Sequence, residues 1–167
     1  MRQGSIGWWA GKARQARRHL RARVSPRERD EVATWLRPTE LAIFDGMHVA
    51  DRRHGLDVVA TLRADDVADS EVLVAGILHD AGKGHTSFLP RVIHSLSAAY
   101  GGWIGWSMAW LPGMTESLAR LRAHAETSAQ MAAAAGCSER TTELIRWQDA
   151  PRDPDAGERL RLADEAN

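Results

Sequence analysis

The chain has one cysteine in 167 residues, so Cys137 has no partner for an internal disulfide, and a disulfide-stapled scaffold is excluded. Its first residues do not combine a basic start, a clean apolar run and a small-residue cleavage site, so a reducing, cytoplasmic setting is expected. No stretch reaches the roughly 20 apolar residues that a spanning helix requires. The richest run, from Gly101 to Gly113, is about 13 residues long and is interrupted by Gly105 and Pro112; it reads as a buried connector. Internal repeats and low-complexity tracts are missing apart from the short alanine run Ala132 to Ala135, and strand signals are weak. What remains is ordinary for a globular protein: 44% hydrophobic and 26% charged residues exclude a disordered or collagen-like chain. The length suits one domain with a short extra arm and leaves no room for two independent cores.

Net charge is zero, yet it is unevenly spread. Residues 1 to 40 carry 10 basic and 4 acidic side chains, leaving 12 against 18 in the remainder. Between Lys12 and Arg23 the basic residues Arg14, Arg17, Arg18 and Arg21 recur every three or four positions with no acid among them, the pattern of a basic helix face. Such a face suits the acidic body of the same chain, nucleic acid, or an anionic membrane surface on which Trp8 and Trp9 would lie. The expected organisation is therefore a basic helical arm over 1–37 followed by a helical domain over 38–167.

Helix starts recur along the chain. Ser25-Pro26-Arg27-Glu28 has the form of a capping box with proline just after the cap, Thr39 precedes Glu40 and the apolar pair Leu41 and Phe44, and Asp155 stands three residues before Glu158. Leu56, Val59, Ala60 and Leu62 give an apolar face to a helix over about 50 to 63. Ser70 is expected to cap the run from Glu71 to Leu78, which is apolar nearly all round and should occupy the centre; alone it fits a buried strand as well, but its neighbours read as helix. Further helices are expected near 91 to 99, 115 to 134 and 139 to 148, with Gly136 as a stop and Pro151 and Pro154 in the loop before the last helix.

The sharpest local feature is Leu78-His79-Asp80-Ala81-Gly82-Lys83, which sets three polar groups directly after the most hydrophobic segment. Adjacent residues of a regular helix point in different directions, so His79 and Asp80 can address one point only where the helix ends and the backbone turns, as Gly82 and Gly84 permit. Burying a lone carboxylate there would cost several kcal/mol, a cost that a divalent cation offsets while keeping the imidazole neutral. A His-Asp pair that merely caps the helix end is the simpler alternative. Upstream, Arg53-His54 lies on the long helix; far downstream, Asp164 lies on the last one.

A histidine, a His-Asp pair about 25 residues later and a distant aspartate follow the order of the HD-domain metal-dependent phosphohydrolases, and the chain resembles that superfamily over residues 40 to 167. The run Ala75 to Lys83 looks like the family's core motif, and His124 opens an alanine-rich segment in the expected place. The resemblance implies an all-α, compact HD-type bundle in which His54, His79, Asp80 and Asp164 hold one divalent ion. Mn, Fe, Zn, Ni and Mg are not distinguished by such a mixed donor set. It further implies hydrolysis of a phosphate ester, a nucleotide among the candidates, with Asp80 as base, Lys83 as a positive charge for phosphate, and Arg53, His85 and His124 as substrate contacts. Asp51 or Asp57 would orient His54. Two departures count against the usual two-metal variant and one subgroup. Trp147 and Gln148 stand where relatives with two metals carry histidine, and the Gly-Tyr-Pro addition of cyclic-di-GMP phosphodiesterases is missing. A metal-retaining but non-catalytic regulatory or binding module is the competing expectation. His48 and His94 read as structural histidines, and Trp103, Trp106 and Trp110 as core or a protein contact.

Overall fold

The computed structural model describes residues 21–167, and all its regular elements are helical. The expected basic face between Lys12 and Arg23 therefore falls mainly outside the described residues. Ten α-helices follow in order: α1 Pro26–Ala33, α2 Pro38–Gly46, α3 Val49–Ala64, α4 Ser70–Leu78, α5 Phe88–Tyr100, α6 Trp103–Ser107, α7 Met114–Arg122, α8 His124–Ala134, α9 Glu139–Arg146 and α10 Ala156–Ala166, with a single 3-10 turn, Ala81–Lys83, between α4 and α5.

Local chemistry fixes most boundaries. Ser25 caps α1 and Glu28 returns the bond to the Ser25 backbone, a reciprocal capping box with Pro26 in the first turn. Asp69, not Ser70, caps α4: its carboxylate accepts the amide of Glu71, and Ser70 becomes the first helical residue. At α10 Asp155 is the N-cap as expected, but its side chain makes no capping bond; the Asp153 carboxylate accepts the amides of Asp155 and Ala156 instead. Gly136 ends α8 as expected. It sits at φ 84°, and the amides of Gly136 and Cys137 bond back to the carbonyls of Ala133 and Ala132, which closes the last turn.

The expected helix over 115 to 134 is two helices that break at Ala123. No proline or glycine marks the break. Both α7 and α8 pack against the 3-10 turn, and the contact between turn and α8 is backbone to backbone: a Cβ on Gly82 would run into the carbonyl of His124 and the amide of Ser128. The break lets both helices approach that turn.

α4 is the central helix, packed by α2, α3, α9 and α10, and every residue from Val72 to Leu78 is buried. A helix apolar on all sides belongs in such a place. Val32 and Phe44 from the first two helices, and Leu36 from the link between them, join the same core as Val58, Leu62, Ile77, Leu78, Ile145 and Leu160. Gly55 lets α3 close on α4, since a Cβ there would lie 2.8 Å from the Ile77 carbonyl oxygen. A second, small cluster of Ile93, Met114 and Leu118 lies under α6 and is covered by Ile104, Met108 and Leu111. The expectation of a buried connector over 101–113 is only half met. Gly105 is buried, but Trp103, Trp106 and Trp110 are 66%, 81% and 77% exposed, because α6 has apolar residues on two faces and only one finds a neighbour. No helix among the described residues is long and apolar enough to cross a membrane.

Candidate metal centre

His54 projects from the middle of α3, His79 and Asp80 from the end of α4, and Asp164 from the last turns of α10. One donor atom from each of His54, His79 and Asp164 lies within 4.8 Å of the others. His54 Nε2 stands 2.7 Å and His79 Nε2 3.4 Å from Asp164 Oδ1. The two Asp80 oxygens complete the group, Oδ1 at 3.5 Å from His79 Nε2 and Oδ2 at 3.9 Å from His54 Nε2. Two ligand atoms bound at about 2.1 Å to one ion stand roughly 3 to 4 Å apart, so these separations suit a shared cation with little rearrangement.

The orientation of His79 is the best test of that fit. Its Nδ1–H donates to the Gly76 carbonyl at 2.9 Å, so a ring that gives up its second proton has its lone pair on Nε2. That Nε2 is buried and has no hydrogen-bond partner, while it faces two carboxylates. A buried orphan of this kind is costly unless something binds it, and a divalent cation satisfies both the nitrogen and the carboxylates.

Charge in the cluster is strongly biased. Burial lowers the affinity of His79 for a proton, but Asp80 and Asp164 outweigh it and push the imidazole up to about 9. Burial raises Asp80, yet His79, Lys83, His54 and His124 overcome it and hold the carboxyl well below the usual range. Asp164 is depressed in the same way, burial being outweighed by its hydrogen bond to His54 and by the nearby His79. The two aspartates thus demand positive charge at their centre. Protons on histidine meet that demand partly, and a divalent ion would meet it in full.

The other expected site residues are divided. Lys83 Nζ lies 2.5 Å from Asp80 Oδ2, at the edge of the cluster. His124 is close, with Nε2 at 3.6 Å from Asp80 Oδ1. Its Nδ1–H donates to the Leu121 carbonyl, so Nε2 is left as an acceptor, and Gln148 Nε2 donates to it at 3.0 Å. His85 is exposed and lies next to His48, ring centroids 6.3 Å apart. Arg53 does not turn to the cluster: its guanidinium pairs with Glu28 and Asp57. Asp57 is thereby engaged by Arg53, and Asp51 makes a forked pair with Arg91 at 2.6 and 2.7 Å.

Sequence reasoning missed the supporting residues. Ser128 Oγ accepts the Gly82 amide and pins the turn that carries Lys83. Arg91 donates to the backbone carbonyls of Thr86 and Gly84 while holding Asp51, which ties the loop after the turn to α3. Gln148 had a local signal, its place in the position of an expected histidine; Ser128 and Arg91 had none. Searches of family models, curated proteins and solved structures returned no match for the chain.

Proposed function

We propose that the chain is a metal-dependent phosphohydrolase of the HD type, acting on a phosphate ester such as a nucleotide. The observation that carries the reading is the buried, unpartnered His79 Nε2 aimed at Asp80 and Asp164 beside His54. His54, His79, Asp80 and Asp164 are the residues that would hold the ion, which when bound supplies Lewis acidity toward a phosphoryl oxygen and acidifies water.

The chain's own groups supply the rest. Asp80, kept ionised by its neighbours, is the acceptor for a proton from the attacking water. Lys83 is raised in pKa, burial being outweighed by Asp80 and Asp51, so it stays an ammonium and gives a point charge for phosphate. His124, lowered by burial and by Lys83, stays neutral, its Nε2 turned toward Asp80 and accepting from Gln148. The carbonyls of Gly76 and Leu121 accept from Nδ1 of His79 and His124 and fix the two rings from outside.

The test is elemental analysis of the purified protein beside a panel of phosphate esters, wild type against Asp80→Ala. Wild type should carry about one divalent ion per chain and turn over at least one ester, and the variant should lose at least about 100-fold in rate. Protein without metal would sink the reading. The Lys83 to Asp80 pair and the Gln148 to His124 bond favour a second reading, a metal-holding module without turnover, since both engage groups that hydrolysis needs free. Metal bound at full occupancy with no turnover on any ester would decide for it.

A further inference from the structure

We propose that the tryptophan face of α6 is a docking surface for an anionic phospholipid bilayer. This inference does not depend on the metal centre. From Ser95 to Thr115 no residue carries a formal charge, Glu116 being the next acid along the chain. Within that stretch Ile104, Met108 and Leu111 turn inward onto Ile93, Met114 and Leu118. Trp103 and Trp106 on α6 and Trp110 just after it are each more than half exposed. Their combined exposed surface is on the order of 500 Å², the size of patch that marks an interaction site on a soluble protein.

Two features choose the occupant. A stable contact with a second copy buries about 800 Å² on each side, more than this face offers. An indole, apolar in body and polar at its N–H, is suited to the headgroup boundary of a bilayer, where it needs no matching protein surface. On the neighbouring helix α7 two arginines stand against one acid, the exposed Glu116. Arg120 and Arg122 at the end of α7 are exposed, and neither makes an ion pair with a described acid. Arg122 reaches α6, its guanidinium 3.6 Å from the Cβ position of Gly105, and the Arg120 side chain lies 3.6 Å from that of Gly84. Exposed indoles on a helix that Arg122 adjoins complement anionic lipid, the arginine adding attraction that falls with salt.

Flotation of the full chain with vesicles tests this, using phosphatidylcholine alone and phosphatidylcholine with phosphatidylglycerol. Wild type should float with the anionic vesicles and much less with the neutral ones, and brominated lipid should quench its tryptophan fluorescence. The triple variant W103S/W106S/W110S, checked for wild-type helix content, should lose at least tenfold in bound fraction. Arg120→Gln with Arg122→Gln should bind more weakly and with less salt dependence. No flotation of wild type overturns the proposal, as does a triple variant that floats equally well. Sedimentation velocity supplies the other decisive outcome. A dimer that the triple variant dissolves, with no vesicle binding, assigns the face to a second copy and overturns the bilayer.

Discussion

The two most apolar stretches of the chain, α4 and the segment around α6, have opposite fates. α4 is enclosed on every side and ends in His79 and Asp80, so its burial positions the polar cluster. α6 rests on a few residues with one side and leaves its indoles in solvent. Hydrophobicity alone therefore says little about depth. What separates the two is the number of neighbouring helices with an apolar face to offer, four around α4 and far less around α6.

Substitutions can break or sharpen this contrast. Leu78→Ala removes a side chain with no solvent exposure at the site end of α4, and a loss of about 2 to 5 kcal/mol in urea unfolding is expected. A loss under about 1 kcal/mol would mean that the central helix is looser than its burial implies. Gly82→Ala comes next. The new methyl meets backbone of α8, which has no flexible end to yield, so about 1 to 3 kcal/mol should be lost in thermal melts, with metal content falling alongside.

Smaller still is the capping box of α1. Hydrogen bonds from Ser25, with Arg53 adding charge, lower Glu28 from 4.5 to about 2. A depressed carboxyl stabilises the fold fully above pH 4.5, and the contribution is lost as pH falls toward 2. Glu28 is well exposed, so Glu28→Gln should cost only about 0.5 kcal/mol at pH 7, and the difference from wild type should vanish near pH 2. At the bottom of the scale, Trp106→Ser should change stability by less than about 0.5 kcal/mol despite the loss of a large apolar side chain. A larger loss would show the indole to be packed, and the contrast with α4 would fail.

Much of the polar cluster was legible because its members occupy helix positions that the apolar pattern already fixes. His54 lies within the patterned helix and His79 at the end of the all-apolar run, and both stand where the pattern sets them. Partners that lie far off along the chain were not legible. Arg53 is drawn to Glu28, 25 residues upstream, and no local rule reveals that this pair leaves it outside the cluster. The break at Ala123 was hidden for the same reason: its cause is the turn at Gly82, more than forty positions earlier. The cap at Asp69 was misplaced by one residue, and at α10 the capping carboxylate is that of Asp153 although Asp155 is the N-cap, because several cap-forming side chains stand close together there and only the backbone path selects among them. The exposure of α6 had no sequence signal, since spacing records which residues share a face and not whether anything covers it.

Gly55 bears on how tightly the putting together of His54 and His79 is specified. Their rings stand 5.2 Å apart, on two helices whose separation at that level is limited by a hydrogen atom where any other residue would place carbon. The gauge of the cluster is thus set one residue away from His54, by the smallest side group available. A methyl at this point would act as a wedge, prising the imidazoles apart without touching either of them.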